Sequence, residues 1–228
     1  MTGAPPRRPV RVWDVPTRLF HWTLVALVLA MWLTGDARDI ALHTQLGVAL
    51  TGLLVFRLLW GFAGSETARF GRFVKGPGAV LAYLRGGGKP HVGHNPLGGW
   101  AVAAMLALLV AQCALGLVAH DVDGLESGPL SHFVSYDTAD LARIWHHRLF
   151  DLIVALATLH VGAVLFYFVA RDEDLVMPMI TGMKEVPAHA PAPRAASPAA
   201  LLLCLGLALL LAWWIGQGAP LPAAPGGG

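Results

Sequence analysis

Five long apolar runs divide the chain, and each is bounded by charged residues or by Gly and Pro. A helix that crosses the hydrocarbon core of a membrane needs about 20 apolar residues, whereas strands of a membrane barrel alternate apolar and polar positions. The runs are long and continuously apolar, so they predict helices. They cover residues 17–34, 43–62, 96–118, 143–170 and 199–215. The pattern therefore predicts an all-α fold, a transmembrane helical bundle.

The composition excludes an ordinary soluble enzyme. Of the 228 residues, 56% are hydrophobic and 13% are charged, while soluble globular domains carry about 45–50% apolar and about 25% charged residues. The net charge of +2 is too small to indicate nucleic-acid binding. Cys113 and Cys204 both lie inside apolar runs, which argues against a disulfide framework.

Charge in the connecting segments predicts the orientation of the bundle. The segment before the first run and the 61–95 loop are basic, and the 119–142 loop is acidic. Basic loops remain on the cytoplasmic side of a membrane. We therefore expect a multi-pass protein of the bacterial cytoplasmic (inner) membrane, with a cytoplasmic N-terminus and a periplasmic 119–142 loop.

The same pattern divides the chain into five parts. A four-helix domain covers residues 17–186, and a fifth, C-terminal transmembrane helix covers 199–218. The Pro/Ala-rich residues 187–198 are predicted to be a linker. Residues 1–16 are expected to form a cytoplasmic tail and residues 219–228 a flexible one.

Two histidines of the fourth run share one helix face. His146 and His160 are 14 residues apart, which is about 40° short of four full turns and about 21 Å along the axis. His147 would point about 140° away from His160. Ionisable residues inside membrane spans are costly and are candidates for function.

The predicted topology places two more histidines at matching depths. His43 begins the second run on the far side, at the depth of His146, and His21 lies near the cytoplasmic start of the first run, at the depth of His160. Each cross-helix pair could supply the two axial imidazoles of one haem. We call His43 and His146 the outer pair, and His21 and His160 the inner pair. The alternative is that each histidine is a packing residue.

A cation and a missing motif refine this hypothesis. Arg57 follows His43 by 14 residues, so it lies on nearly the same face at the inner depth. A guanidinium there could bind a haem propionate, or it could extend to the cytoplasmic interface. No Cys-x-x-Cys-His motif is present, so any haem is bound non-covalently.

Several motifs resemble those of the prokaryotic cytochrome b561 family, which includes the cytochrome b subunits of nickel–iron hydrogenases. They are VWDVPTRLFHW at 12–22, FRLLWGF at 56–62, ARF at 68–70 with Gly76-Pro77, GHNPLG at 93–98 and MITGMK at 179–184. The resemblance implies a four-helix core with two haem b groups and bis-histidine ligation, carried over onto His21, His43, His146 and His160. Family members usually have an acidic residue where this chain has His147, so both His146 and His147 stay candidate outer ligands.

The resulting functional prediction is a di-haem b cytochrome of a respiratory chain. It relays single electrons between the quinone pool and a periplasmic redox partner, either a c-type cytochrome or a hydrogenase-like subunit. A bound quinone and a homodimer are both compatible with the sequence. His94, before the third run, could donate a proton to quinone or could only structure its loop, and His91 lies nearby.

Two other functions compete with the relay. One is a self-contained oxidoreductase that transfers electrons between a small molecule, such as superoxide, and quinone. The other is a transporter in which the histidines line a proton or metal path.

Overall fold

The computed structural model describes residues 6–86, 92–120 and 126–220, and it is dominated by helices. Five of the helices are long and apolar enough to cross a membrane, which confirms the predicted all-α transmembrane bundle. The helices are α1 (Val15–Asp36), α2 (Ile40–Ala63), α3 (Phe70–Phe73), α4 (Pro77–Leu84), α5 (Pro96–Val118), α6 (Tyr136–Ala170), α7 (Val176–Thr181) and α8 (Pro198–Gly216). A short 3₁₀ turn covers Ser131–Phe133, and two strands, β1 (Arg7–Arg11) and β2 (Met183–Pro187), complete the structure.

The five long helices begin at polar capping residues. The Asp14 side chain accepts a hydrogen bond from the Thr17 N–H at 2.7 Å, and Asn95 accepts one from Gly98 at 2.7 Å. Such caps satisfy N–H groups that have no partner inside the helix. Asp39, Ser135 and Ser197 cap α2, α6 and α8 in the same way. These polar residues therefore determine where each long helix begins.

Helix α2 is the centre of the bundle. It packs extensively against α1, α5 and α8, and α6 packs against α5. Leu50, Leu54 and Trp60 of α2 are buried in the main hydrophobic core. Helices α1 and α6 have no comparable mutual contact. The α2–α5 layer therefore supports α1 and α6, the two helices that carry the predicted inner pair.

Helix α6 is longer than the apolar run that predicted it. The run begins at residue 143, whereas the helix begins at Tyr136 and continues for 35 residues. At 1.5 Å per residue it is about 52 Å long, which exceeds the roughly 30 Å of a hydrocarbon core. Its first turns contain polar residues that hydropathy alone cannot assign to a helix.

The two ends of the four-helix domain are joined by a structure that the sequence did not predict. Strand β1 pairs antiparallel with β2, from Arg7 opposite Pro187 to Arg11 opposite Met183. We call β1, β2 and α7 the clasp. Part of the predicted N-terminal tail is therefore a strand. Most of the predicted 219–228 tail lies outside the described residues, which end at Pro220.

The clasp also holds the start of α1. Gly182, at φ +83°, has a carbonyl that accepts hydrogen bonds from Val12 and Trp13 at 2.8 and 3.2 Å. The Arg18 guanidinium donates to the Ile180 carbonyl, and the Trp22 indole donates to the Met179 carbonyl at 3.2 Å. The motifs at residues 12–22 and 179–184 are therefore two halves of one contact.

Candidate functional site

The rings of the outer pair are neighbours. The ring centroids of His43 and His146 are 6.1 Å apart, and the rings are nearly perpendicular at 82°. His43 Nδ1 is 3.0 Å from the Met31 carbonyl oxygen, and His146 Nδ1 is 2.9 Å from the Gln112 carbonyl oxygen. A carbonyl only accepts, so in both rings Nδ1 carries a hydrogen. In the neutral imidazole, Nε2 then keeps its lone pair and is the nitrogen available to a metal.

Glycines make room for these rings. A Cβ atom on Gly116 would lie 2.9 Å from Cε1 of His146, and a Cβ atom on Gly35 would lie 3.4 Å from Cε1 of His43. The first distance is too short for any side chain without movement of the ring. Helix glycines normally reduce helix stability, and here the absent side chain positions an imidazole.

The dimensions of the outer pair suit bis-imidazole ligation. Metal–imidazole nitrogen bonds are about 2.0 Å long, and two imidazoles that bind one ion from opposite sides then have centroids roughly 6 Å apart. The observed 6.1 Å agrees with this arrangement. His147 is exposed, with its ring centroid 6.3 Å from that of His146. The residues therefore fit a haem iron better through His146 than through His147.

The two histidines of the inner pair lie near each other, but their rings are not in contact. His21 on α1 and His160 on α6 are close enough for an electrostatic interaction, and both side chains are half-buried. Nδ1 of His21 is buried and has no hydrogen-bond partner among the described residues. The Trp22 ring packs edge-on against His21, with centroids 4.9 Å apart.

Arg57 is buried beside the inner pair. The residue is only 3% exposed, and its guanidinium carbon lies 5.8, 5.2 and 5.8 Å from the ring centroids of Phe20, Phe70 and Phe73. Nη1 has no hydrogen-bond partner within the described ranges. The side chain is thus enclosed by protein and does not extend to an aqueous surface, as the alternative interpretation of the sequence required.

His94 belongs to the same region. Its ring lies between Trp13 and Phe73, at centroid distances of 4.6 and 4.8 Å. Burial, followed by the nearby charges of Arg57 and His160, lowers the pKa of His94 to about 3. The imidazole is therefore neutral at physiological pH and carries one N–H. His91, the other histidine considered for this loop, lies outside the described residues.

A polar cluster that sequence reasoning missed lies at the same end of the bundle. The hydroxyl groups of Tyr83 and Tyr167 are 2.5 Å apart, and the Asn95 amide donates to the Tyr167 hydroxyl at 3.1 Å. Burial, followed by the hydrogen bond with Tyr167, raises the pKa of Tyr83 to about 12. Tyr167 follows His160 by seven residues, about two turns. This spacing indicates that Tyr167 and His160 lie on the same face of α6.

The histidines are arranged in pairs rather than in larger clusters. Over the residues that the structure covers, no group of three or more His, Cys, Asp or Glu side chains is placed to hold a metal ion. Pairs from facing helices are the donor set of a haem with two axial imidazoles.

Comparison with known proteins identifies the family. The family model described as "Prokaryotic cytochrome b561" matches residues 12–182. The "Probable Ni/Fe-hydrogenase B-type cytochrome subunit" of Bradyrhizobium diazoefficiens is 22% identical, over 78% of this chain and 87% of the relative. No solved structure matches.

The match confirms the resemblance carried by the motifs between residues 12 and 184. Together with the five apolar helices, it identifies a multi-pass membrane cytochrome of b type that acts in electron transfer, and the family implies haem b as its cofactor. The chain belongs to the prokaryotic cytochrome b561 family.

Proposed function

We propose that this protein carries two haem b groups and relays single electrons across the bacterial inner membrane, between the quinone pool and a periplasmic redox partner. The observation that carries the proposal is the outer pair, in which two neutral imidazoles lie 6.1 Å apart between centroids. Each bound haem b supplies one reversible one-electron couple at its iron. The protein's part is to hold the two groups at different depths and to exclude water from them.

In the outer pair, His43 and His146 would hold the iron of one haem b through Nε2. Their Nδ1–H groups donate to the carbonyls of Met31 and Gln112. A hydrogen bond on the second nitrogen fixes the tautomer and the ring orientation of a ligating histidine. Neutral ligands add no charge inside the membrane, where an uncompensated charge is costly.

In the inner pair, His21 and His160 would hold the iron of the second haem b. One α6 helix supplies a histidine to each pair, about 21 Å apart along its axis. The two haem sites therefore lie at two levels of the same bundle, which is what transfer across a bilayer requires. Arg57, which is buried against Phe20, the neighbour of His21 in the chain, would bind a propionate of the inner haem.

Two observations support the proposed partner. They are the description of a similar protein and the negative charge of the 119–142 loop. The Bradyrhizobium relative is described as a probable Ni/Fe-hydrogenase cytochrome subunit, which supports a hydrogenase-like subunit as the partner. The acidic 119–142 loop, on the proposed periplasmic side, would favour approach of a basic surface, such as that of a c-type cytochrome. The basic N-terminal segment supports a cytoplasmic N-terminus.

A haem count with histidine variants tests the proposal. We expect two haems per chain in the purified protein, measured by pyridine haemochrome and by the reduced-minus-oxidised spectrum. His43→Ala and His146→Ala should each lose the outer haem, and His21→Ala and His160→Ala the inner one. The exposed His147→Ala is the matched control and should retain both. One haem per chain, or full retention in His146→Ala, would overturn the two-pair assignment.

A second measurement tests the direction of electron transfer across the membrane. In proteoliposomes, a quinol should reduce both haems, and an external oxidised c-type cytochrome or hydrogenase-like subunit should reoxidise them. Catalytic turnover of superoxide with quinone, without any protein partner, would instead identify the self-contained oxidoreductase. Transport of protons or metal ions by a protein without a haem spectrum would identify the transporter.

A further inference from the structure

Four buried nitrogen atoms in the region of the inner pair have no hydrogen-bond partner among the residues that the structure describes. They are Arg18 Nε, His21 Nδ1, Arg57 Nη1 and His94 Nδ1. A buried donor without a partner costs about 1–3 kcal/mol, so such atoms are uncommon in native proteins. Their concentration in one region indicates that a polar group absent from the chain itself satisfies them.

Arg57 requires an anion in addition to its protein neighbours. Its guanidinium is enclosed by three phenylalanine rings, and a buried charge is retained only when it is paired. The nearby carboxylate is that of Asp14. Its two oxygens already accept hydrogen bonds, one from Thr17 N at 2.7 Å and one from the Trp60 indole at 3.1 Å. Asp14 interacts with Arg57 electrostatically but accepts no hydrogen bond from Nη1, which leaves Nη1 free for a ligand.

His94 is placed to act with Arg57. The two side chains are close enough to interact electrostatically, and His94 interacts in the same way with His160 of the inner pair. Trp13 and Phe73 hold the imidazole from two sides, so its orientation is fixed by packing. A cationic fork beside a neutral N–H donor matches the two oxygens of a carboxylate.

We propose that His94 and Arg57 together form a two-point carboxylate site that binds a propionate of the inner haem. The proposal rests on the proposed function, because the inner haem brings the carboxylate to this depth. His94 thereby becomes a cofactor-binding residue rather than a proton donor to quinone. The GHNPLG motif then has two roles, since Asn95 caps α5 while His94 binds the ligand.

The site predicts an effect on one haem only. A hydrogen bond and a positive charge at a propionate partly neutralise that group and so favour the reduced, less positive iron. Removal of the His94 donor should lower the midpoint potential of the inner haem. The proposed outer haem lies about 21 Å away along α6, so its midpoint potential should not change.

The test uses the purified full-length protein and His94→Ala, His94→Asn and Arg57→Lys. The control is His189→Ala, because His189 is an exposed histidine that follows the clasp strand β2. Haem content, a redox titration that resolves both haems, and the resonance Raman propionate bending bands are measured. We expect two haems in His94→Ala, a lower inner midpoint and a shifted propionate band. His94→Asn, which keeps an N–H donor, should recover most of both changes, and His189→Ala should match the parent protein.

Each other result has a definite meaning. Unchanged midpoints and propionate bands in His94→Ala would overturn the proposal. Unchanged midpoints with slower reduction by quinol would overturn it as well and would assign His94 to quinone. If His94→Ala does not assemble, a parent-like propionate band in Arg57→Lys, which keeps the charge but loses the planar fork of donors, would contradict the site. A parent protein with fewer than two haems would contradict the proposed function itself, which separates the two failures.

Discussion

The orientation of the outer imidazoles depends on main-chain carbonyls. His43 and His146 donate to the carbonyls of Met31 and Gln112, and every residue type presents such an acceptor. Helical periodicity could therefore predict which histidines share a face and a depth, but not which nitrogen is free. The same limit applies to His94, whose sequence position gave no indication of the packing that encloses it.

Gly116 on α5 matters to the outer pair because it faces the ring of His146. We expect Gly116→Ala to displace the His146 ring, because the new Cβ atom would lie 2.9 Å from Cε1. The outer haem should then bind more weakly or show a shifted spectrum, while the inner haem is unaffected. Separate titration of the two haems in the purified variant measures this effect.

Gly162→Ala on α6 is the matched control, since a Cβ built there has no neighbour within 4 Å among the described residues, apart from the backbone of its own helix. Alanine is the better helix former by about 1 kcal/mol, so a loss in Gly116→Ala cannot come from helix propensity. A parent-like outer haem in Gly116→Ala would contradict the close packing of this ring.

At the level of elements, the capped apolar helices were predictable and the clasp was not. Runs of about 20 apolar residues predict spans because the membrane requires them. Strands β1 and β2 are five residues each and lie more than 170 positions apart, so no local pattern pairs them. The seven-residue extension of α6 was also missed, because its polar first turn lies beyond the hydropathy signal.

The clasp should stabilise the inner haem site through α1. We expect Gly182→Ala to lower the thermal stability of the protein, because φ is +83° and the new Cβ atom would lie 2.7 Å from the Trp13 carbonyl oxygen. Arg18 and Trp22, which the clasp binds, flank His21. Loss of the inner haem absorbance on heating should therefore precede that of the outer haem.

Gly86→Ala controls for backbone strain alone. Gly86 has φ +81°, and apart from its chain neighbours no atom of the described residues lies within 4 Å of its Cβ position. A positive φ costs a non-glycine residue about 1–2 kcal/mol, so both variants carry that cost, and only Gly182→Ala adds the steric contact. Equal melting temperatures in the two variants would show that the close approach is unimportant.

On the scale of the whole molecule, α8 is attached to the four-helix domain at two places. Gly52 of α2 faces α8, where a Cβ atom would lie 2.8 Å from Cβ of Ala212. The segment before α8 is also anchored, since Glu66 and Arg194 exchange hydrogen bonds at 2.9 and 3.0 Å. The predicted linker is therefore tied to the connection between α2 and α3.

We expect Gly52→Leu to displace α8 without loss of either haem. Every proposed iron ligand lies on α1, α2 or α6, and overpacking of an interface typically costs about 1–3 kcal/mol. The measurements are haem content, melting temperature and the rate of proteolysis in segment 187–198. Gly206→Leu is the control, because the surroundings of Gly206 are open. Loss of a haem in Gly52→Leu would mean that α8 supports the sites directly.

The 35-residue length of α6 couples the two proposed sites mechanically. One continuous helix carries a proposed ligand of each pair, and its first turns extend beyond the apolar run. A docked protein that tilted or slid those turns would change the iron coordination at both depths together. Recognition at one surface could thus set the rate of electron passage through the entire bilayer.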